Sequence, residues 1–217
     1  MFPFPLVPPA LITAANFVAA TVDTTDTTNY TFASQTLYES MLVCAGRMGA
    51  ATQGVSSLTV GGVGATLVVA QLNPDNEVYS SIWMVSGVTP GSGSIVVNGS
   101  AASTKCSIAT YETTNRAATA HHTASAGFAS GGADPSASLN IPSGGFAVGY
   151  ALEINESVTW TWTGLSTEDV DATIEGASTH TAAHQNSMTV ETGRTITAAR
   201  SATTNKGSLV TCSFAPA

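Results

Sequence analysis

Met41-Leu42-Val43-Cys44-Ala45, Ser57-Leu58-Thr59-Val60-Gly61-Gly62, Ala65-Thr66-Leu67-Val68-Val69-Ala70, Ser81-Ile82-Trp83-Met84-Val85, Gly93-Ser94-Ile95-Val96-Val97 and Cys106-Ser107-Ile108-Ala109-Thr110-Tyr111 succeed one another between residues 41 and 111. These short apolar segments recur at roughly 8–16-residue spacing, cut by glycine turns, with almost no charge and no helical periodicity. The pattern predicts an all-β chain: an antiparallel, jelly-roll-like β-sandwich. Hairpin-type turns are expected at Gly61-Gly62, Asn73-Pro74-Asp75-Asn76 and Pro90-Gly91-Ser92-Gly93.

Upstream, Ala15–Val22 and Asn29–Phe32 read as strands around the polar turn 23–28. Gln35–Ala45 then reads as one long strand, apolar on both faces at its end, as a central strand is. Downstream, residues 112–136 form a polar interlude holding His121 and His122, in which Ala124–Phe128 is expected to pair with something, because long structureless loops are uncommon in compact domains. Gly144–Glu153 is a strong strand, and in Val158–Thr163 alternation places Trp160 and Trp162 on one face. An acidic, turn-rich segment (Glu168-Asp169-Val170-Asp171) precedes three further strands, Ser178–His184, Arg194–Ala199 and Gly207–Phe214.

The second half echoes the first. Met41–Ala45 aligns with Phe146–Tyr150, Ser94–Val97 with Thr195–Ala198, and Cys106–Thr110 with Leu209–Ser213, at an offset of about one hundred residues. Residues 1–14 are therefore expected to form an extended arm. Residues 15–217 should form a single β-sandwich domain with two similar halves, about 37–112 and 140–217, closed as one double-layered sandwich.

Only 9% of residues are charged, against roughly 25% in an ordinary soluble domain. Thr, Ser, Ala and Gly take their place, and with 43% of residues apolar the chain is not of the disordered type. Small hydroxyl side chains suit tight sheet-on-sheet packing, and surfaces buried against neighbouring subunits without stranded charge. The net charge of −8 leaves no basic stripe for nucleic acid and disfavours an anionic membrane surface. No run reaches the ~18 apolar residues of a membrane-spanning helix.

The opening Met1-Phe2-Pro3-Phe4-Pro5-Leu6-Val7-Pro8-Pro9-Ala10 cannot form a helix or a central strand. It has no cation, so it does not read as a secretory signal. Phe2, Pro3, Phe4, Pro5 and Leu6 make it too apolar for a free tail; it either tucks over its own domain or docks on a neighbour. Cys44, Cys106 and Cys212 lie within apolar strand patterns and are expected to be free, buried thiols of a chain made in a cytoplasm.

Met41–Ala45, Ser57–Gly62, Ser81–Trp83, Val88–Val97, Ala109–Tyr111 and the closing Cys212–Ala217 together resemble β-sandwich modules of tailed-phage virions. The resemblance covers roughly residues 40–217. It implies a particle-associated structural protein (head decoration, fibre or tail accessory), and no catalytic residues.

Catalytic and ligand motifs are sparse. On a strand, His180 and His184 face the same side about 13 Å apart, too far to share one metal ion. Glu168, Asp169, Asp171 and Glu175 lack the spacing of a calcium loop and read as a solvated acidic turn. No Gly-x-Ser-x-Gly elbow is present, and Gly61-Gly62-Val63-Gly64 opens no helix that could cradle phosphate. Trp160 and Trp162, with Trp83, are either core aromatics or a sugar-stacking platform. The expectation is a non-enzymatic virion structural protein with no cofactor or metal. It would be made in the host cytoplasm and would assemble with capsid or tail proteins, and with copies of itself, on the particle. A carbohydrate-binding module using Trp160 and Trp162 on a host-surface glycan is the alternative.

Overall fold

The computed structural model describes residues 12–49, 54–154, 157–203 and 205–217. The Phe2–Leu6 arm lies outside them. Nine strands form the first half: β1 (Ala14–Asp23), β2 (Thr27–Leu37), β3 (Ser40–Met48), β4 (Val55–Val60), β5 (Val63–Gly64), β6 (Thr66–Leu72), β7 (Val78–Ser86), β8 (Gly91–Ser103) and β9 (Lys105–Thr114). Eight form the second: β10 (His122–Phe128), β11 (Ser136–Ile141), β12 (Phe146–Ile154), β13 (Trp160–Thr163), β14 (Thr167–Thr173), β15 (Ser178–Gln185), β16 (Glu191–Arg200) and β17 (Lys206–Phe214). No described residue is helical, and the chain is all-β as the pattern at 41–111 predicts.

The repeat extends to the wiring. The first half has sheets β1-β9-β3-β7-β6 and β2-β8-β4-β5; the second has β10-β17-β12-β15-β14 and β11-β16-β13. Counting β5 and β6 as one strand bent at Ala65, each half has eight strands ordered 1-8-3-6-5 and 2-7-4. That is jelly-roll winding. β3 and β12 are the central strands and are buried along almost their whole length.

The layer count differs from the single two-layered sandwich expected from sequence. Each half closes its own sandwich. Tyr30, Phe32, Met41, Val43, Leu58, Trp83, Ile95 and Ile108 fill the first; Leu139, Ala147, Trp160, Trp162, Ile196 and Leu209 fill the second. The two five-stranded sheets then face each other across a third core, with Leu42, Cys44, Ile82 and Tyr111 on one side and Phe146, Val148, Tyr150 and Cys212 on the other. This is why β3 and β12 are apolar on both faces: one face serves each half's own core and the other serves the seam.

Several element assignments change. Gln35–Ala45 is broken at Tyr38-Glu39, where the chain crosses from the four-stranded to the five-stranded sheet. The turn at 90–93 also crosses between sheets and joins no hairpin. Ala124–Phe128 does pair, antiparallel with Leu209–Thr211 and their neighbours on β17. Residues 167–173 form an edge strand on β15, not a turn, and β11, within a Ser/Ala/Asn stretch, has no clear signal in the sequence. Gly61 and Gly62 have φ of +56° and +84°, the left-handed values that a tight two-residue hairpin requires.

Candidate functional site

The polar chemistry of the chain is concentrated at the seam between the two five-stranded sheets and at the ends of the two sandwiches. The seam is tightest where β6 and β7 meet β10 and β17. Side chains there are small. Ser208 donates to Ser80 Oγ at 2.8 Å, Ser125 donates to Gln71 Oε1 at 2.8 Å, and a Cβ on Gly127 would lie 3.1 Å from the Leu72 carbonyl oxygen. The abundance of Ser, Ala and Gly is used here to bring two sheets close together.

Toward β1 and β14 the sheets separate and large groups fill the space. Tyr111 on β9 donates to Asp169 Oδ2 on β14 at 2.8 Å, and His184 Nδ1 on β15 lies 2.8 and 2.9 Å from the two Asp169 oxygens. The Tyr111 ring stands edge-on to both Phe17 and His184. Burial pushes the Tyr111 hydroxyl well above its ordinary range, with the buried thiol of Cys44 and the Asp169 carboxylate adding to the effect. His180 lies on the same strand face, 1% exposed, edge-on to Tyr150, and its Nδ1 has no partner among the described residues. Desolvation lowers its pKa to about 4, so it is neutral at pH 7. Tyr150 in turn shares a 2.6 Å hydrogen bond with Ser107 across the seam.

The sandwich ends carry buried charge. Arg47, fully buried on β3, donates to the carbonyls of Gly54, Thr28 and Ala101 and to Ser103 Oγ, with the Tyr30 ring beneath it. Burial lowers its pKa. In the second half Arg200 does the same work from β16. It lies 4.1 Å over the Phe128 ring and donates to the Gly132 and Ala133 carbonyls and to Asp134. Glu153 is fully buried beside it. Its Oε1 accepts from Thr179 at 2.6 Å, while Oε2 has no partner among the described residues. Burial outweighs that hydrogen bond and raises the carboxyl to about 7.

The tryptophans are placed as the alternation predicts, on one face, but that face is the core. Trp160 and Trp162 are 3% and 8% exposed, and their indole N–H groups donate to Thr179 and Thr181 at 3.0 and 2.8 Å. A sugar stacks on an open ring face, so these two rings form no platform in this fold. Trp83 is buried in the first sandwich and donates to Ser81.

The acidic segment is a strand and not a turn, though most of its acids are solvated as expected. Asp169 points into the seam; Glu168, Asp171 and Glu175 are exposed, with Asp171 accepting from the Trp160 backbone N–H at 3.0 Å. Among the described residues no three His, Cys, Asp or Glu side chains converge on a metal-sized position. Cys44, Cys106 and Cys212 are free and buried, and desolvation pushes the Cys212 thiol up to about 12.

Three surface clefts are lined by other residues. One, of about 330 Å³ at the end of the seam, is bounded by Met48, Glu77, Lys105, Ile154 and Ser178. Two others flank Arg116, whose guanidinium is held by Thr113, Ser86 and the Val85 and Ala117 carbonyls. None opens onto Tyr111, Asp169 or His184. Comparison with protein-family models, curated proteins and solved structures finds no match for this chain.

Proposed function

We propose that the protein is a non-enzymatic structural subunit of a tailed-phage particle, assembling on the capsid or tail as a decoration, cement or fibre-like component. The observation that carries this reading is the character of the two outward sheet faces. In the first half the outward positions of the small sheet are Asn29 and Thr31 on β2, Val96 and Asn98 on β8, and Ser57 and Thr59 on β4. In the second they are Ser136 and Ser138, Thr195 and Thr197, and Thr161 and Thr163. The chain has 14 acidic residues, yet these flat faces carry none. A face without charge can be covered by a neighbour without stranding an ion.

Two further points support the reading. Tyr111, Asp169 and His184 are engaged with each other in the seam and line none of the three clefts described above, which favours a scaffold over a catalyst. Jelly-roll sandwiches recur in viral capsids as well as in lectins, although a fold alone does not fix a role. The partners in this proposal are capsid or tail proteins and other copies of the chain.

Light scattering of the purified protein over a concentration series, with and without residues 1–10, tests it. The expected result is a discrete oligomer that weakens when the Phe-Pro arm is removed while the fold is retained. A concentration-independent monomer in both forms would count against self-assembly through the arm.

A further inference from the structure

We infer that β1 is a strand-addition edge that pairs antiparallel with β1 of a second copy of this chain, joining two five-stranded sheets into one of ten strands.

An edge strand exposes a row of unpaired backbone N–H and C=O groups, and proteins blunt such edges with charge, bulges, shortness or cover. Most of the other edges here are treated in one of these ways. β14 carries Glu168, Asp169 and Asp171. β2 is interrupted by two register shifts, with Ser34 at φ +57°. β13 has four residues and β5 two. β6 lies under β10 and β17, and β10 lies against both β6 and β11.

β1 is the counterpart of β10 in the repeat, and among the described residues no strand pairs with its outer edge, which meets β2, β12 and β15 only sparsely. It has ten residues with no charge before Asp23. After a single-residue shift at Phe17/Ala19 it runs in unbroken register on β9 from Ala19 to Asp23. It sits where the two sheets separate, half-buried from Phe17 to Thr21, with Val22 exposed. The molecule itself shows what this edge accepts. At Ala15 the Asn186 side chain acts as a piece of strand: its Oδ1 takes the Ala15 N–H and its Nδ2 donates to the Ala15 carbonyl, both at 2.9 Å. Beyond Ala15 no such amide follows among the described residues.

What covers a row of backbone donors and acceptors is another extended backbone. A second copy is the occupant that the charges favour, because a chain of net charge −8 can approach its like only where no acid stands. Antiparallel self-pairing is also isologous, so it satisfies both copies' edges and leaves none over. The inference does not depend on the virion reading.

The test uses the full chain with Ala19→Cys, Ala20→Cys and Thr21→Cys in turn. Residues facing each other in an antiparallel pair have Cα atoms about 4.5–5.5 Å apart, within disulfide reach, while the native thiols are buried and do not compete. One of the three variants should give a covalent dimer under mild oxidation, and Ala20→Lys should be a folded monomer by light scattering and circular dichroism. The inference is overturned if the unmodified protein is a monomer throughout the concentration series. It is equally overturned if no cysteine variant cross-links and the Ala20→Lys oligomer persists, an outcome that would leave an arm-mediated assembly standing.

Discussion

Lys105 and Lys206 open the last strand of each half, and each reaches across the seam to the acidic turn of the opposite half. Lys105 Nζ lies 2.8 Å from the Glu175 carbonyl oxygen and 3.9 Å from its Oε2. Lys206 Nζ lies 3.6 Å from Asp75 Oδ2 and against Glu77 Oε2. These are the only lysines in the chain, and they occupy equivalent places in the repeat. The turns they reach, residues 73–77 and 174–177, are also equivalent. The bridges are partly exposed, so Lys105→Met or Lys206→Met should each cost about 1 kcal/mol or less. Urea unfolding in low and high salt should show that small loss shrinking as salt rises.

Seam packing should matter far more. A Cβ on Gly46 would lie 2.5 Å from Tyr150 Oη and 2.7 Å from Leu152 Cδ2. Gly46→Ala is therefore expected to destabilise the protein by about 1–3 kcal/mol through overpacking. Gly62→Ala, which meets nothing but has φ +84°, should cost less at the seam and act through its turn; thermal unfolding of the two variants separates these effects.

Two buried groups set opposite limits on pH. Glu153 has its pKa raised from 4.5 to about 7, so the folded chain holds a proton that the unfolded chain has released. Its contribution is complete below pH 4.5 and is lost as pH rises through 7. His180 has its pKa lowered from 6.5 to about 4, so the unfolded chain takes up a proton that the folded one refuses. That contribution is complete above pH 6.5 and is lost as pH falls through 4. Each limb alone is worth about 3 kcal/mol; because the two oppose each other between pH 4.5 and 6.5, the intact protein should show a nearly flat plateau there with shallow falls on either side. Chemical denaturation across this range should show the alkaline limb disappear in Glu153→Gln and the acid limb disappear in His180→Leu.

The thiols should be silent. With Cys44, Cys106 and Cys212 buried and desolvation raising all three pKa values, Ellman's reagent at pH 8 should label none in the native protein and all after denaturation. Prompt labelling of a native thiol would mean that the seam opens on the time scale of the assay.

Trp160→Ala should cost about 3–5 kcal/mol, because it empties a core position and leaves Thr179 without its indole donor. On a glycan array the intact protein and a folded Trp162→Phe variant should behave alike. A glycan signal that is lost in Trp162→Phe would revive a sugar-binding role for that strand.

The strands of residues 41–111 were legible because their glycine turns and unbroken apolar runs leave little choice of secondary structure. The repeat was legible as a pattern but not in register: the ladders match Met41–Ala45 with Ala147–Ala151, one residue on from the Phe146–Tyr150 read in the sequence, and that slip exchanges the core face for the seam face. The number of layers was not. A strand apolar on both faces, such as Val43-Cys44-Ala45, looks the same whether its second face meets a partner sheet of its own sandwich or another sandwich. Asp169 and Asp171 were hidden for a related reason: a cluster of acids in sequence resembles a solvated turn, and only the bulge at Glu168/Val170 turns one toward His184 and lets the other receive Trp160 N–H. The tryptophans were legible as to side and illegible as to depth, since alternation assigns a face without saying what covers it.

Cys44 and Tyr150 occupy corresponding places, each four residues before the end of its half's central strand; both face the seam, and they differ in size and polarity. A pair of identical subunits meeting by diffusion could not differ in this way, since any change would appear on both sides of the contact. Here the short link from Asn115 to His121 tethers the two surfaces, so their encounter is governed by an effective concentration and not by dilution. Each surface is then free to drift so long as it fits the other. The seam is in this sense a heterodimer that cannot dissociate, and its asymmetry, closed along β6 and β10 but open along β1, is what leaves one edge available to a third party.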